Sequence, residues 1–409
     1  MRWRRFLPLL MTGFVLSICI ACGQLVSNQT TTAPEAVAPV VERPTAQPQT
    51  PIASTPTPLP PETEAIAASV APPGLVNPPR GDVRLVVISD INGPYGSTNY
   101  DPEVDRMIKL LPFWQPDLVV CSGDMIAGQN LTLSQGQLQA MWGAFDQRVA
   151  APLRQAHIPY GFTLGNHDAS SAMGVGGTYL FQQERDIAAE YWREPNHDPG
   201  VKFIDRYEFP FYFTFEYNGI FFLSWDGSSH HIPPEKLAWV EKALASPAAQ
   251  QAKMRILLGH LPLYGITVGR DEPAEVMENA DQLRAMLETY NVHTYISGHQ
   301  HGYYPAHRGN IQLLHTGILG SGPRPLINTD LPPWKALTIV DVNFDAPELT
   351  TYNTYDMQTL KVREYQQLPR FLTGHNGMVL RRDVKWEELT ASEKTMCEQR
   401  LDKKRCAAS

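Results

Sequence analysis

The sequence has no excess of basic residues. Its 34 lysines and arginines stand against 42 aspartates and glutamates, and the formal net charge is -8. Proteins that hold nucleic acid by charge carry a basic face, so stable nucleic-acid binding is not expected. A nuclease that contacts phosphate through metal ions stays open, although an acidic protein steers a long polyanion poorly. The sequence also lacks an internal repeat, and its 409 residues, 43% of them hydrophobic, suffice for one large catalytic domain or two small ones.

The apolar stretch at residues 6–21 is too short for a typical membrane span and lies at the N-terminus. Basic residues precede it, which is the pattern of a signal peptide over residues 1–22. Cys22 follows a small residue, as in the lipobox of bacterial lipoproteins, although the position three residues earlier is Cys19 rather than leucine. The pattern predicts export in a bacterium. Two forms stay open: a lipoprotein held in the membrane by a lipid on Cys22, and a protein that is secreted after cleavage into the periplasm or the medium.

Cysteine is scarce, with five residues in the whole chain. Cys121 ends an apolar run and is predicted to be a buried, inert thiol. Cys397 and Cys406 lie close together near the C-terminus, where an oxidising compartment would allow a disulfide that closes a short loop. Two free thiols in a frayed tail are the alternative.

Composition divides the rest of the chain into three parts. Residues 23–80 are rich in proline, threonine, alanine and glutamine without apolar periodicity, so they are predicted to be a disordered linker. Residues 81–365 are predicted to form the catalytic domain. Residues 366–409 are charged and are predicted to be a peripheral helix or tail.

Strand and helix patterns alternate along the predicted domain, which indicates an α/β fold. Strands are predicted at 83–88, 118–121, 160–164, 211–216, 220–225, 255–258 and 294–297, and helices at 101–114, 135–156, 234–245 and 279–290. Residues 169–208 show weak periodicity and are predicted to be a polar insertion. In open α/β sheets ligands bind at the carboxyl ends of the strands.

Polar residues stand at or near several of these carboxyl ends. They are Asp90, Asp124, Asn166, His167, Asp168, His260, His299 and His301. Taken singly, such residues are more often helix caps or turn residues than ligands. Carboxylate, amide and imidazole groups together suit manganese, iron or zinc. Two divalent ions that share one carboxylate can hold a hydroxide for attack on phosphorus.

Four of these blocks resemble, in order, the motifs of the calcineurin-like metallophosphoesterases. They are Gly123-Asp124, Gly165-Asn166-His167-Asp168, Gly259-His260 and Gly298-His299-Gln300-His301. The resemblance extends over about residues 83–325. It implies a four-layer α/β/β/α sandwich of two mixed sheets. It also implies metal-dependent hydrolysis of a small phosphate ester, mono- or diester, by a hydroxide that bridges two divalent metal ions.

The same resemblance implies roles for individual residues. Asp124 would bridge the two metal ions, and Asp90 and His301 would bind the first. Asn166, His260 and His299 would bind the second. His167 would act as general acid towards the leaving oxygen, with Asp168 holding its other nitrogen.

One block departs from the family pattern. The family usually has Asp-x-His where this chain has Asp90-Ile91-Asn92, so Asn92 is predicted to be a weaker ligand of the first metal. Purple acid phosphatases also lack that histidine, but their compensating tyrosine would fall at Ala127 here. Tyr95, in the same loop as Asn92, is a further candidate. The departure motivates an alternative function, a metal-binding envelope protein with a degenerate first site and no hydrolysis.

The remaining candidates are less specific. They are His230, His231, His315, Arg270, Arg308 and Arg324. The histidine pair could line the cleft or belong to a solvated loop, and the third histidine could pack in the core or bond to the site. The arginines could clamp a phosphate or be ordinary surface residues.

Overall fold

The computed structural model describes residues 60–406, without the side chain of residue 404. The predicted signal peptide, Cys22 and residues 23–59 of the predicted linker lie outside the described residues. Among the helices of residues 60–406, none combines the length and the apolar character that crossing a membrane requires.

The described residues contain fifteen strands and eleven α-helices. The strands are β1 (Val83–Ile88), β2 (Leu118–Cys121), β3 (Tyr160–Phe162), β4 (Lys202–Glu208), β5 (Tyr212–Tyr217), β6 (Ile220–Ser224), β7 (Met254–Leu258), β8 (Thr294–Ser297), β9 (Tyr303–Arg308), β10 (Ile311–Thr316), β11 (Ala336–Val342), β12 (Thr350–Asp356), β13 (Lys361–Arg363), β14 (Phe371–Gly374) and β15 (Gly377–Arg381). The helices are α1 (Pro61–Val70), α2 (Pro102–Trp114), α3 (Gln135–Phe145), α4 (Ala151–Gln155), α5 (Asn166–Ala169), α6 (Gln182–Arg193), α7 (Pro234–Leu244), α8 (Pro247–Gln251), α9 (Ala280–Thr289), α10 (Ala391–Glu398) and α11 (Lys403–Cys406). The strands and helices predicted for the central part of the chain are present, with ends that differ by one or two residues.

The strands form two mixed sheets. The first sheet has six strands in the order β13-β12-β11-β1-β2-β3, and the second has nine in the order β14-β15-β9-β10-β8-β7-β6-β5-β4. The first sheet is parallel across β1, β2 and β3, and the second across β6, β7, β8 and β10. Antiparallel strands adjoin the parallel part of the first sheet on one side and that of the second sheet on both sides, which confirms the predicted pair of mixed sheets.

Side-chain alternation explains how the layers pack. In β6, Phe222 belongs to the large apolar cluster that joins both sheets with α2 and α3. Its neighbours Phe221 and Leu223 belong to a second cluster, which joins the other face of the second sheet to α7 and α9. Successive residues of a strand point to opposite faces, so the second sheet is covered on both sides. The result is the predicted order of layers, helix, sheet, sheet, helix.

Local sequence signals account for the helices that flank the first sheet. α2 begins at Pro102, whose ring suits the first turn of a helix, and ends where Gln115 adopts a left-handed conformation. α3 begins with a reciprocal capping box between Ser134 and Gln137. A π-helical turn at Asp146–Ala150 joins α3 to α4, so the helix predicted at 135–156 is continuous.

The segment predicted to be a polar insertion, 169–208, contains α6 and β4. The polar side chains of α6 hide an apolar face, on which Ile187 and Trp192 are buried. The guanidinium of Arg185 is also buried, and its Nη2 donates to the carboxylate of Asp226 at 2.7 Å. Residues 182–193 therefore form an amphipathic helix within a segment that is polar in composition, and the helix also buries one partner of a charged pair.

The prediction of a peripheral helix or tail after residue 365 is wrong in part. β14 and β15 pair with each other, and β15 pairs with β9 at the edge of the second sheet. Beyond them, α10 and α11 are joined by a disulfide between Cys397 and Cys406. Backbone pairing with an existing edge strand orders this charged segment, and local composition does not reveal such pairing.

The end of the predicted linker is also ordered. α1 contacts α2 and buries Ala67. The buried guanidinium of Arg84 donates to the side chain of Asn77 at 2.8 Å and to the carbonyl of Pro78 at 2.7 Å. Residues 77–80 therefore belong to the packed domain.

Candidate metal centre

The parallel strands of the two sheets bring the predicted ligands to one place. Asp90 and Asp124 follow β1 and β2 of the first sheet, whereas His260 and His299 follow β7 and β8 of the second. All four residues are buried. Groups more than a hundred residues apart in sequence therefore meet between the carboxyl ends of two packed sheets, as the sequence predicted.

The carboxylate of Asp124 lies at the middle of this group. Its Oδ1 accepts a hydrogen bond from the backbone N–H of His167 at 2.8 Å. Its Oδ2 is fully buried and receives no hydrogen bond from the described residues. Nε2 of His260 lies 3.3 Å from this oxygen, outside hydrogen-bond geometry. A buried carboxylate oxygen without a donor is costly unless a cation neutralises it.

Three atoms that could coordinate a metal ion face one another beside Asp124. Oδ1 of Asn166 lies 2.9 Å from Nε2 of His260 and 2.9 Å from Nδ1 of His299. The amide nitrogen of Asn166 donates to Gln129 Oε1 at 2.6 Å, which turns Oδ1 towards the imidazoles. The ligand set predicted for the second metal is therefore assembled around one point.

The ligands predicted for the first metal lie on the other side of Asp124. Donor atoms of Asp90, Asp124 and His301 all lie within 4.8 Å of one another. Nε2 of His301 is 3.2 Å from Oδ1 of Asp90, is buried and has no hydrogen-bond partner in residues 60–406. Nδ1 of the same ring faces the carbonyl of Gly322 at 2.9 Å, which leaves Nε2 free to coordinate.

The donor set fits two divalent cations. Each predicted site has oxygen and imidazole donors, and the two sites share Asp124, whose Oδ2 lacks a hydrogen-bond donor among the described residues. Burial acts to lower the pKa of His260, but the charge of Asp124 outweighs burial and raises this pKa to about 9. The buried carboxylates thus attract positive charge to this point, which a metal ion would supply in place of a proton.

The backbone is strained at four of the predicted ligands. Asp90, Asp124, His299 and His301 all have positive φ angles, of 49°, 56°, 64° and 56°. This left-handed region is uncommon for residues other than glycine, and such strain concentrates at functional sites. The sequence did not reveal the strain, although each of these residues lies beside or near a glycine.

Two glycines allow the close approach of neighbouring elements. A Cβ on Gly165 would collide with the carboxylate of Asp124, and a Cβ on Gly298 would lie 2.5 Å from Oδ2 of Asp90. The glycines of these motifs therefore make room for the carboxylates.

His167 lies at the edge of the centre. Its Nε2 is 3.9 Å from Oδ2 of Asp124, and its Nδ1 faces the carbonyl of Gly128 at 3.1 Å. The ring of Tyr95, which is exposed, lies 4.8 Å from the His167 ring. Tyr95 therefore packs against the predicted general acid.

The predicted contact between Asp168 and His167 is wrong. The carboxylate of Asp168 accepts hydrogen bonds from the backbone N–H groups of Met125, Ile126 and Gly165 at 2.7–2.9 Å. Burial and the charge of Asp124 raise the pKa of Asp168 to about 7. Asp168 holds the loop after β2 against the turn after β3, because one carboxylate oxygen accepts from the loop and the other from the turn.

Asn92 is buried at the first-metal side of the centre. Its backbone N–H donates to the carbonyl of Asp124 at 3.3 Å, and its own carbonyl accepts from Ser321 at 3.2 Å. Its role as a ligand stays a prediction. Ala127, at the position of the tyrosine found in purple acid phosphatases, is buried.

The other sequence candidates have varied surroundings. His231 pairs with Glu278 in an exposed contact, as expected of a solvated loop. Both ring nitrogens of His315 are buried without a hydrogen-bond partner among the described residues, which agrees with core packing. Arg308 is buried and donates to the carbonyl of Met378 at 2.6 Å, so it is a structural residue.

Sequence reasoning missed two residues that orient the predicted ligands. Oε2 of Glu275 lies 2.7 Å from Nε2 of His299 and leaves Nδ1 to face the centre. Gln129 orients Asn166, as described above. Neither residue stands in a motif. Glu275 lies in the long loop between β7 and α9, so only the folded chain places it beside the centre.

Comparison with known proteins agrees with this geometry. Residues 83–303 match the model of the family described as calcineurin-like phosphoesterase. A comparison with curated proteins gave no match.

Among solved structures, the chain resembles a purple acid phosphatase from yellow lupin (Lupinus luteus) seeds. The identity is 16%, the TM-score is 0.51, and the match covers 69% of this chain and 52% of that one, so this chain spans about half the length of the lupin protein. A putative 5'-nucleotidase from Staphylococcus aureus matches at 14% identity and a TM-score of 0.34, over 78% of this chain and 57% of that one. GAP50, the anchor in the inner membrane complex of Plasmodium, matches at 13% identity and a TM-score of 0.43, over 69% and 87%.

At these identities the likeness concerns the fold alone, and the lupin structure is the one of the three that supports it. The family model covers more than half of the chain, and its range contains all the predicted ligands. The chain therefore belongs to the calcineurin-like phosphoesterase family.

Proposed function

We propose that this protein hydrolyses a small phosphate ester, with two divalent metal ions held at the centre around Asp124. The observation that carries the proposal is the buried Oδ2 of Asp124, which lacks a hydrogen-bond donor within residues 60–406. Nε2 of His260 lies 3.3 Å from the carboxylate of Asp124, and Nε2 of His301 lies 3.2 Å from the carboxylate of Asp90. A structural polar cluster would instead satisfy such atoms with one another.

The metal ions, manganese, iron or zinc, would be held by the predicted ligands. Asp90, Asp124, His301 and Asn92 would hold one, and Asp124, Asn166, His260 and His299 the other. When bound, such a pair stabilises charge on the phosphoryl group and lowers the pKa of a water molecule that attacks phosphorus. The strained backbone at four of these residues would hold the donors ready before the metals arrive.

His167 would donate a proton to the leaving oxygen. The carbonyl of Gly128 holds Nδ1, so Nε2 is the nitrogen that faces the centre. In the imidazolium form, the N–H bond at Nε2 breaks, the leaving oxygen takes the proton, and neutral imidazole remains. Packing of Tyr95 against the ring limits its rotation.

The test is hydrolysis by the purified, manganese-loaded protein. Nitrophenyl monoester and diester substrates should both be tried, together with metal analysis. In Asp124→Asn, turnover should fall by roughly 100-fold or more, since even residues that only support a metal ligand are worth 10–100-fold. The matched control is Asp105→Asn, which changes an exposed carboxylate paired with Arg148. Turnover that is equal in the wild type and in Asp124→Asn would refute the proposal.

The same measurements address the alternative function, metal binding without hydrolysis. Asn92 in the place of the usual histidine favours it. Fewer than two metal ions bound per chain, with no turnover of either ester, would select the alternative.

We also propose that the protein acts outside the cytoplasm, anchored through Cys22 or secreted. The disulfide between Cys397 and Cys406 supports this location, since disulfides persist in oxidising compartments. Radiolabelled fatty acid should be incorporated into the wild type and not into Cys22→Ala if the anchor exists. Recovery of the full-length protein in the cytoplasmic fraction would contradict export.

A further inference from the structure

Two arginines stand beside the metal centre. Nη1 of Arg270 lies 2.7 Å from Nδ1 of His299, the nitrogen that faces Asn166. The nearest carboxylate to this guanidinium is that of Glu275, at 3.9 Å. The side chain of Arg270 is 13% exposed, so its charge is largely removed from solvent, and the long contact with Glu275 is its one ion pair within the described residues.

Arg324 is carried by the neighbouring backbone segment. Its backbone N–H donates to the carbonyl of His301, a predicted ligand of the first metal, at 3.1 Å. Nε of Arg324 is buried without a hydrogen-bond partner, and its guanidinium makes no hydrogen bond or ion pair within the described residues. Its Nη1 lies beside Gly269, the residue before Arg270.

The two segments that carry these arginines are paired. The N–H of Val268 donates to the carbonyl of Pro325 at 3.0 Å, and an antiparallel bridge joins Thr267 to Leu326. Burial, followed by the positive charge of Arg270, lowers the pKa of Arg324. Glu275, whose carboxylate lies 3.9 Å from Arg270, is the one acid among the described residues that acts on both guanidinium groups. Two guanidinium groups that repel each other and share a single acid at this distance form a site for a further anion.

The loop that carries Arg270 is held by a buried amide. Oε1 of Gln300 accepts from the N–H groups of Ile266 and Thr267 at 3.0 Å and 3.1 Å. Nε2 of Gln300 donates to the carbonyls of Arg270 and Glu275 at 2.9 Å and 3.2 Å. Gln300 stands between two predicted metal ligands, so it couples the position of this loop to the centre.

The carboxylate of Asp271 holds the other side of the same loop. Its Oδ1 accepts from the backbone N–H and from Nδ1 of His375, at 2.6 Å and 2.9 Å, and its Oδ2 accepts from Arg400. Hydrogen bonds to Gln300 and Asp271 therefore hold the backbone on either side of Arg270. A guanidinium positioned in this way loses little entropy when it binds an anion.

We propose that Arg270 and Arg324 bind the terminal oxygens of the substrate's phosphate and make the protein selective for phosphate monoesters. The inference rests on the proposed function and names the substrate class of that site. A monoester phosphate has three terminal oxygens and up to two negative charges, whereas a diester has two such oxygens and one charge. Two guanidinium groups beside two metal ions suit the larger negative charge and the third terminal oxygen of a monoester phosphate.

The position of Arg270 supports this assignment. Nδ1 of His299 is both the atom that Arg270 contacts and a predicted metal donor. Its one lone pair cannot serve both, so the guanidinium would turn away from Nδ1 when a metal ion binds there and would stay beside the ion. A guanidinium and a metal ion would therefore be close neighbours of like charge. An anion between them removes the repulsion, and the phosphate group is the anion that the proposed reaction brings there.

The test measures binding of inorganic phosphate to the manganese-loaded protein by calorimetry. We expect Arg270→Met and Arg324→Met each to weaken phosphate binding by roughly 10- to 100-fold, the range for a buried charge-assisted hydrogen bond. Arg270→Lys keeps the charge and should recover part of the affinity, because the fork is lost. Arg148→Met, at a side chain that is 52% exposed and paired with Asp105, is the matched control and should bind like the wild type.

Kinetics with a nitrophenyl monoester and the corresponding diester complete the test. In both methionine variants, KM for the monoester should rise more than KM for the diester, at unchanged metal content and unfolding temperature. Phosphate binding within twofold of the wild type in both variants would overturn the proposal, and so would an equal rise of KM for the two esters. If one variant unfolds at lower temperature, the other and Arg270→Lys decide the outcome. A wild type that binds phosphate but hydrolyses neither ester would refute the proposed function, whereas phosphate binding by Arg270 and Arg324 would remain supported.

Discussion

At the scale of single residues, His167 and Asp168 are neighbours with different surroundings. The ring of His167 faces the centre and the ring of Tyr95, whereas the carboxylate of Asp168 is saturated by backbone N–H groups. The direction of each side chain in the short helix α5 decides this difference, because successive residues of a helix point about 100° apart. The direction of its side chain lets His167 face the centre as the proposed proton donor, and the direction of Asp168 lets it bind backbone N–H groups.

His167→Gln tests proton donation. We expect turnover of an alkyl phosphate, whose leaving oxygen needs a proton, to fall by roughly 100- to 10,000-fold. Turnover of a nitrophenyl ester should fall much less, since nitrophenolate leaves without a proton. The metal content should stay unchanged, and steady-state kinetics with both esters measures the contrast. An equal loss with both esters would show that His167 does not serve as the acid.

His315 predicts a specific loss of stability in acid. Burial lowers its pKa from an unfolded value of 6.5 to about 3, so the folded protein binds this proton less readily than the unfolded chain. The stability that neutral His315 allows is complete above pH 6.5 and is lost as the pH falls towards 3. Between pH 7.5 and pH 5, the free energy of unfolding lost through protonation of His315 amounts to roughly 2 kcal/mol.

In His315→Leu, the free energy of unfolding should therefore fall less between pH 7.5 and pH 5 than it does in the wild type. Urea unfolding at the two pH values measures the difference. His157→Asn, at an exposed position with a left-handed backbone, is the control and should keep the pH dependence of the wild type. An identical pH dependence in His315→Leu and the wild type would contradict the prediction.

At the scale of elements, the C-terminal segment supports the loop beside the metal centre. α10 and α11 are joined by the disulfide, and Arg400, between them, contacts Asp271 of the loop that carries Arg270. Arg405 donates to the carbonyl of His375 at 3.0 Å, in the turn between β14 and β15. The segment therefore connects the edge of the second sheet with the loop that carries Arg270.

Removal of the disulfide should loosen this segment. The bridge closes a loop with a sequence separation of 9, for which chain entropy predicts a stabilisation of about 2–3 kcal/mol. In the double variant Cys397→Ala, Cys406→Ala, hydrogen exchange should increase in residues 391–406 and the unfolding temperature should fall by a few degrees. Reductant should have the same effect on the wild type and none on the variant. Cys121→Ala, at a buried free thiol, controls for loss of a sulfur atom and should remain sensitive to reductant.

At the scale of the whole molecule, the centre joins the two sheets. Asp90 and Asp124 come from the first sheet, and His260, His299 and His301 from the second. Metal ions bound to both groups would cross-link the layers. A ligand that binds only the folded state stabilises it, by about 2.7 kcal/mol at a concentration one hundred times its dissociation constant.

Chelation should therefore lower the unfolding temperature of the wild type as well as abolish turnover. We expect a fall of a few degrees in excess EDTA, measured by calorimetry, and recovery of both properties with manganese. In Asp124→Asn the unfolding temperature should respond less to EDTA. An unfolding temperature that is the same with and without EDTA in the wild type would show that metal ions do not join the sheets.

The sequence by itself determined the family and the central strands, and it predicted residues that meet at the centre. β1, β2 and β8 are short apolar runs with a polar residue just beyond each, and such local patterns survive folding because both faces of a central strand are buried. Glycine beside every predicted ligand except Asp90 was also visible, since the motifs are contiguous in the chain. Residues that lie far apart in the chain could therefore be predicted to act together as metal ligands.

Only the tertiary structure decided which atoms face the centre and which neighbours support them. Glu275, Gln129 and the role of Asp168 depend on side-chain directions and on loops that carry no periodic pattern. The same is true of α6, whose buried Arg185 finds its partner 41 residues later, and of β15, which is a strand because β9 offers it an edge. Contacts between distant residues create these features, and the energy that favours them appears only when the chain has folded.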